Sequence, residues 1–88
     1  MYYVYVLVND EDTKYIGYTD DLRRRIEQHK NGESRYTKGH RNWKLCYYEA
    51  FTSKKDAMLR EKALKRSGQS RRWLNERIKE SIELCRRS

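Results

Sequence analysis

The chain has 88 residues, which is room for one domain, and it contains 36% hydrophobic and 39% charged residues. Tyr and Trp account for ten of its eleven aromatic residues. The β-branched and aromatic residues also come in runs, which disordered chains seldom show. These features exclude a multidomain or disordered chain, and we expect a single folded domain over residues 1–88.

The formal net charge of +8 is unevenly distributed along the chain. Residues 1–22 carry a net charge of −4, whereas residues 23–44 and 54–72 each carry +6. Two basic blocks on a small domain favour a polyanionic partner, since each neutralised phosphate releases counterions. A merely basic, soluble surface is the alternative. Charge alone does not separate DNA from RNA or from an anionic membrane.

The cysteines and the first residues bear on the compartment of the protein. Cys46 and Cys85 do not form a C-x-x-C pair, and two cysteines make no disulfide framework. The apolar run at residues 2–8 is too short for a signal peptide or a membrane span. We therefore expect reduced thiols, a cytoplasmic location and no membrane partner. A zinc site made of His29, His40 and the two cysteines has no ligand spacing to support it.

Hydrophobic periodicity and turn residues predict an α/β (α+β) fold, in which helices flank a three-stranded antiparallel sheet in the order β-β-α-β-α-α. Thr19 or Asp20 is expected to cap the first helix, with acidic residues in its first turn, and Asn31-Gly32 to end it. Ser53 with Asp56 resembles a capping box. The predicted elements are strands at 2–8 and 14–18, a helix to about residue 30, a strand at 43–51, a helix to about 66, a break at 67–70 and a last helix at about 71–86.

Alternation along the strands assigns side chains to the two faces of the sheet. Tyr15 and Gly17 share a face of the second strand. The same alternation separates two sets in the first strand, Val4, Val6 and Val8 on one face and Tyr3, Tyr5 and Leu7 on the other. The last helix carries an apolar stripe, Leu74, Ile78, Ile82 and Cys85, which must cover either the sheet or a dimer surface.

Charged residues fall beside the apolar faces of two helices. Arg25 and His29 lie at helical spacing next to the stripe of the first helix. Glu61 falls among Ala57, Met58 and Leu64, where a carboxylate is costly unless it is paired or binds a metal ion. An Arg25–Glu61 structural ion pair, or snorkelling of the charged groups at the core edge, is the alternative to a functional role.

Taken together, these motifs resemble the GIY-YIG nuclease superfamily over roughly residues 2–66. The chain has Tyr3-Val4-Tyr5 in place of Gly-Ile-Tyr, then Tyr15-Ile16-Gly17 ten residues later, then an Asp-Leu-x-x-Arg pattern at 21–25, His29, and Glu61 on a later helix. Tyr3 departs from the glycine of the family name, as it does in many small bacterial members. The resemblance is to this small single-domain branch and to the catalytic subunit of the Slx structure-specific endonuclease.

This resemblance implies a metal-dependent endonuclease domain that hydrolyses phosphodiester bonds in DNA, with branched DNA among its possible substrates. It implies that Tyr5 is the general base, that Tyr15 orients it, and that Arg25 grips the phosphate. His29 positions phosphate or water, and Glu61 binds Mg²⁺ or Mn²⁺. The candidate nucleic-acid contacts are Arg23, Arg24, Arg35, Lys38, Arg41 and Lys62.

Two other functions remain open from the sequence. One is a non-catalytic nucleic-acid-binding module with the same fold, and the other is an RNA-binding sheet that stacks bases on tyrosines. DNA is favoured over RNA as the partner. Family members with known targets usually carry further DNA-binding domains or a partner subunit. We therefore expect weak, sequence-independent binding unless a partner protein or a homodimer supplies more contacts.

Overall fold

Three strands and four helices form the fold over residues 1–32 and 42–87, the parts of the chain that the computed structural model describes. In these ranges no helix is long and apolar enough to cross a membrane. The elements are β1 (Tyr2–Val8), β2 (Lys14–Thr19), α1 (Leu22–Lys30), β3 (Lys44–Phe51), α2 (Lys54–Arg66), α3 (Gly68–Arg77) and α4 (Lys79–Arg87). The predicted α+β class and antiparallel sheet are confirmed.

β1 is the central strand of the sheet, which has the order β2-β1-β3 with both pairs antiparallel. A tight turn joins β1 to β2. The side-chain oxygen of Asn9 accepts hydrogen bonds of 2.9 Å from the backbone N–H groups of Glu11 and Thr13. Asp12 adopts a positive φ of 64°, which Asp tolerates better than most residues. The predicted hairpin is confirmed.

The two faces of the sheet bury different side chains, as strand alternation predicts. The valines of β1 face α2, α3 and α4, where they pack against Ala57, Leu64, Leu74, Ile78 and Ile82. Tyr5 and Leu7 face the opposite way, against Trp43 and the apolar stripe of α1, Leu22 and Ile26. The sheet therefore separates an aliphatic core from a smaller aromatic core, and Tyr5 lies in the aromatic one.

A bulge interrupts the pairing of β1 with β3. Val6 pairs with Tyr47, but Leu7 pairs with Leu45, so Cys46 is an extra residue on β3. As a result Cys46 and Tyr47, although adjacent in sequence, both pack on the aliphatic side of the sheet.

The cap of α1 differs from the prediction. Asp21 is the N-cap, and its carboxylate accepts a 3.1 Å hydrogen bond from the Arg24 N–H. Thr19 instead holds the preceding turn, because its hydroxyl accepts from the Asp21 N–H at 3.0 Å. The expected cap at Thr19 or Asp20 is therefore wrong, and the first turn of α1 holds no acidic residue. The predicted end is confirmed at Asn31, followed by Gly32 with φ 72°.

The helices after β3 show one confirmed cap and two corrections. Ser53 caps α2, accepting from the Asp56 N–H at 3.1 Å. The predicted break at 67–70 is one residue long, because extended Ser67 ends α2 and its hydroxyl also caps α3. The predicted single last helix is two helices that meet at Ile78. No proline or glycine marks that junction in the sequence.

The apolar stripe of α3 and α4 covers the sheet. Leu74, Ile78 and Ile82 are buried in the same core as the valines of β1. At the end of this stripe Cys85 forms a disulfide with Cys46 of β3, with Cα atoms 5.6 Å apart. The prediction of reduced thiols is therefore wrong. The stripe and the bulge bring together two cysteines that are 39 residues apart in sequence. The sequence around each cysteine does not indicate this pairing.

Candidate active site

Tyr5 and Gly17 face each other across the β1–β2 pair, and the tyrosine ring occupies the space that a side chain at Gly17 would need. A Cβ atom at Gly17 would lie 2.4 Å from both Cζ and Oη of Tyr5 and 2.9 Å from the ring of Tyr15. Real Cβ atoms do not approach other atoms so closely. Glycine at this position therefore lets Tyr5 lie flat across β2, with its centroid 6.2 Å from that of Tyr15.

His29 lies beneath this pair of tyrosines, in the last turn of α1. Its side chain is buried, and its Nε2 atom is 2.7 Å from the Tyr5 hydroxyl. The imidazole centroid is 5.7 Å from the Tyr5 ring and 4.9 Å from the Tyr15 ring. Three aromatic side chains from β1, β2 and α1 thus form one contact cluster, with His29 bonded to the buried phenol.

Arg25 lies one helical turn before His29 and binds both tyrosine side chains of this cluster through hydrogen bonds. Its Nη1 atom also donates to Gln28 Oε1 at 3.0 Å, which orients the guanidinium. Burial raises the pKa of Tyr5 to about 12. The hydrogen bond from Arg25 opposes that rise, and the negative charge of Glu61 adds to it.

The hydrogen bonds around Tyr5 can be given a direction. A guanidinium can only donate, so the Tyr5 oxygen accepts from Arg25 and its own proton is directed to Nε2 of His29. Burial, helped by the charge of Arg25, lowers the pKa of His29 to about 4, so the imidazole is neutral at pH 7. We assign it the tautomer with its proton on Nδ1, because Nε2 accepts.

Glu61 approaches the cluster from α2. Its carboxylate pairs with Lys65 one turn later, at an Oε2–Nζ distance of 3.3 Å, and the Lys65 Nζ lies 5.6 Å from the Tyr15 ring centroid. Within the described residues Arg25 is not its ion-pair partner, so the Arg25–Glu61 alternative is wrong. Met58 is exposed rather than part of an apolar face around Glu61.

The residues around Glu61 fit a hard divalent cation with few protein ligands. Among the described residues no group of three or more His, Cys, Asp or Glu side chains converges on one point. Mg²⁺ commonly binds through one or two carboxylates and keeps several waters, so the half-buried Glu61 is the residue of this site that could hold such an ion. The negative charge of Glu61 also raises the pKa of Tyr5, so the two groups interact electrostatically.

The described residues among the predicted site residues lie in the aromatic cluster, in a cavity along α2, or apart from both. Tyr5, Tyr15, Arg25 and His29 are in contact, with Glu61 beside them. Lys62 lines a cavity of about 760 Å³ along α2 together with Glu61 and Lys65. The exposed Arg23 and Arg24 belong to neither group. The other predicted nucleic-acid contacts, Arg35, Lys38 and Arg41, lie outside the described residues, as does His40.

Comparison with known proteins agrees with this geometry. The family described as the GIY-YIG catalytic domain matches residues 1–77. The chain belongs to the GIY-YIG family. The predicted resemblance is confirmed, and membership places the chain in a superfamily whose members are generally nucleases.

The relatives of this GIY-YIG chain include small proteins named UPF0213. A UPF0213 protein of Clostridium perfringens is 40% identical over 67 residues, which cover 75% of this chain and 72% of the relative. One of Streptococcus agalactiae is 44% identical over 64 residues, with 72% and 73% covered. The solution NMR structure of a UPF0213 protein from Bacillus halodurans superposes with a TM-score of 0.56 at 37% identity, covering 86% of this chain and 84% of that one.

Two residues of this GIY-YIG site were not identified from the sequence. Lys65 lies four residues after Glu61, a spacing that favours an ion pair on a helix and was available as a signal. Gln28, which orients Arg25, has the corresponding spacing of three residues. Gly17 was assigned to the correct face, but its close contact with the Tyr5 ring depends on strand pairing, which local sequence does not reveal.

Acidification is expected to destabilise the GIY-YIG domain through His29. Its pKa is about 4 in the folded protein and 6.5 when unperturbed, so the unfolded chain binds more protons between these values. Stability therefore falls as the pH drops from 6.5 to 4, by up to about 3 kcal/mol. Urea unfolding across this range measures the loss.

His29→Gln is the control for this pH dependence, because glutamine keeps an acceptor for the Tyr5 hydroxyl but does not titrate. The carboxylates titrate alike in both proteins, so the difference between the two unfolding curves isolates His29. Equal loss of stability in both proteins would show that His29 does not contribute.

Proposed function

We propose that this domain hydrolyses phosphodiester bonds in nucleic acid, with DNA as the favoured substrate. The observation that carries the proposal is the chain of hydrogen bonds Arg25–Tyr5–His29. It gives one buried phenol both a fixed positive charge at its oxygen and an acceptor for its proton. A phenol with a folded pKa of about 12 needs such an acceptor to serve as a base at neutral pH.

The proposed reaction transfers protons through Tyr5. A water molecule attacks phosphorus and gives its proton to the Tyr5 oxygen, while the Tyr5 proton transfers to Nε2 of His29 along the hydrogen bond whose heavy atoms are 2.7 Å apart. The bond from phosphorus to the leaving oxygen breaks, and that oxygen takes a proton from solvent. The products are a phosphomonoester and an alcohol. The imidazolium then returns its proton to solvent, which its low pKa favours.

Arg25 has the second role in this proposal. In the structure its guanidinium binds the two phenols, which cover its donors and leave Tyr5 buried. A phosphate that enters beside Tyr15 would compete for the donors that bind Tyr15, so that Arg25 bridges the phosphate and the Tyr5 oxygen. The planar fork of Arg25 suits two phosphate oxygens at once, which Lys could not reproduce.

Glu61 is the proposed ligand for a divalent cation, Mg²⁺ or Mn²⁺. When bound, such an ion stabilises negative charge on the phosphate oxygens and helps the leaving oxygen depart. Lys65 holds the Glu61 carboxylate in place, and the ammonium is also positioned to contact the phosphate.

A nucleic-acid-binding module without catalysis is the second candidate function. Two observations favour it: Tyr5 is fully buried, and the Glu61 carboxylate is already paired with Lys65. This function requires only the basic surface around Glu61, Lys62 and Lys65, and it predicts binding that does not depend on a metal ion.

Cleavage of labelled nucleic acids tests the proposal. Duplex, branched and single-stranded DNA and RNA are incubated with the domain in Mg²⁺ or Mn²⁺. We expect Tyr5→Phe, Arg25→Lys and Glu61→Gln each to lower the cleavage rate by about 100-fold or more, because each removes a group that acts in the transition state. Chelation of the metal with EDTA is expected to abolish cleavage.

Glu80→Gln is the matched control for Glu61→Gln. Glu80 is an exposed carboxylate in the first turn of α4, so its loss changes the net charge equally without altering the site. Circular dichroism checks that every variant is folded. Cleavage that persists unchanged in all three site variants would refute the proposed site. Binding without cleavage in every metal would assign the domain to the non-catalytic module instead.

A further inference from the structure

A groove leads away from the candidate active site along the outer edge of β2. It has a volume of about 360 Å³, and Tyr15 and Lys65 line it at the end next to the site. Lys14, Arg71 and Asn75 also line it, and they connect it with the C-terminal helices. Because Lys65 pairs with Glu61, the groove begins beside the proposed metal ligand. We call it the β2-edge groove.

The β2-edge groove continues into a second cavity of about 620 Å³ between β2 and the helices α3 and α4. Lys14, Arg71 and Asn75 line both cavities, so they form one continuous depression. The described lining of the second cavity has five cationic side chains, Lys14, Arg71, Arg72, Lys79 and Arg86, against two acidic ones, Glu76 and Glu83. Of the five, Arg86 is paired with Asp12.

Two of these cations are held in place by neutral groups. Arg71 donates through Nη1 to the backbone carbonyls of Leu64 and Lys65, at 2.9 and 2.7 Å. Lys14 Nζ donates to the side-chain oxygen of Asn75 at 3.3 Å. Such contacts fix the position of a cation without neutralising its charge. Fixed, uncompensated cations at the wall of a groove favour an anionic occupant.

We propose that the β2-edge groove and its continuation bind the sugar–phosphate backbone of the nucleic acid and lead it from the active site across β2 onto α3 and α4. The proposal rests on the proposed function, because the same strand would occupy the site and the groove. A phosphodiester backbone fits better than an acidic peptide, since the groove is continuous with the phosphate site at Tyr15 and Lys65. Among the described residues that the sequence indicated for nucleic-acid binding, Arg23, Arg24 and Lys62 do not line the groove.

This path limits the length of nucleic acid that one copy contacts. The longest extent of the molecule is 30 Å, so at about 3.4 Å per nucleotide of one strand the footprint is about nine nucleotides or fewer. The C-terminal helices would thus supply contacts that larger family members obtain from added domains.

The salt dependence of binding tests the groove. Arg72 and Lys79 line the continuation of the groove, and within the described residues their side chains make no hydrogen bond or ion pair, so Arg72→Gln/Lys79→Gln removes two charges without breaking a structural contact. Fluorescence anisotropy with a labelled oligonucleotide, as single strand and as duplex, gives the slope of log Kobs against log salt. We expect the double variant to bind more weakly and to reduce this slope by about 2, or about 1 for each lost phosphate contact.

Lys30→Gln/Arg87→Gln is the matched control, because it removes two charges from exposed positions that do not line the groove. The control is expected to keep the wild-type slope. Equal slopes for the two double variants would overturn the proposal, since bulk charge would then explain the binding. Displacement of the oligonucleotide by poly-glutamate as readily as by unlabelled DNA would also overturn it, in favour of an acidic protein.

Cleavage assays on the same preparations separate this proposal from the proposed function. A reduced slope in the groove variant, together with no cleavage by the wild type, would support the groove and refute the hydrolase. Cleavage that depends on Glu61, together with an unchanged slope, would support the hydrolase and refute the groove. A wild-type domain that binds no oligonucleotide would refute both.

Discussion

Gly17→Ala is expected to disrupt the candidate active site. The new methyl group would lie 2.4 Å from the ring and hydroxyl of the fully buried Tyr5, so the ring must leave the position in which it bonds to His29. Overpacking of this kind costs about 1–3 kcal/mol. The proposed cleavage should fall by about 100-fold, because a displacement of about 1 Å in a catalytic group can have that effect.

Two measurements check this result independently of each other. Urea unfolding measures the loss of stability, and NMR titration of His29 reports the site. Displacement of Tyr5 exposes the imidazole, so its pKa should rise from about 4 toward 6.5. Gly68→Ala is the control, because the nearest atom to its Cβ would be Nη2 of Arg71 at 3.8 Å, an ordinary contact. Gly17→Ala with wild-type stability and an unchanged His29 pKa would contradict the close packing of Tyr5 on β2.

Reduction of the Cys46–Cys85 disulfide is expected to destabilise the domain by about 4 kcal/mol, from the loop entropy that a link across 39 residues removes from the unfolded chain. The link ties α4 to the sheet near the end of the stripe that buries Ile78 and Ile82. Urea unfolding with and without dithiothreitol measures the difference.

Cys46→Ser and Cys85→Ser provide the controls for this reduction. Each single variant should have the stability of the reduced wild type, and dithiothreitol should not lower it further. Thiol titration of the unfolded, unreduced wild type should find no free thiol. Two free thiols, or a dithiothreitol effect that is equal in wild type and variants, would show that the link does not form.

Local sequence signals predicted the parts of the fold that depend on near neighbours. The turn after Val8, the end of α1 at Asn31 and the cap at Ser53 each rest on a side chain that binds its own backbone a few residues away. Strand alternation likewise placed Tyr15 with Gly17 on one face of β2, and Tyr5 with Leu7 on one face of β1. At the candidate site, helical spacing predicted that Arg25 and His29 lie beside the core, which is confirmed.

Features that depend on distant parts of the chain were not predictable in this way. The division between α3 and α4 at Ile78 follows from packing on the sheet, and no helix-breaking residue marks it. The sequence offered Arg25 as an ion-pair partner of Glu61, as the alternative to a metal-binding role, but Arg25 binds the phenols of Tyr5 and Tyr15 and Glu61 pairs with Lys65. The β2-edge groove joins Lys14 to Arg71, which are far apart in sequence and meet only after β2 and α3 are in place.

The bulge in β3 determines whether the Cys46–Cys85 disulfide can form, because it sets which face of the sheet carries Cys46. If β3 alternated regularly, Tyr47 would face the aliphatic core and Cys46 would face α1, away from Cys85. The extra residue at the bulge rotates the backbone, so that Cys46 and Tyr47 both face the aliphatic core. In a homologue whose β3 is regular, a cysteine at the position of Cys46 would be turned toward the aromatic core and out of reach of a cysteine on α4. Formation of the Cys46–Cys85 disulfide therefore requires the irregular pairing of β1 and β3 as well as the two cysteines.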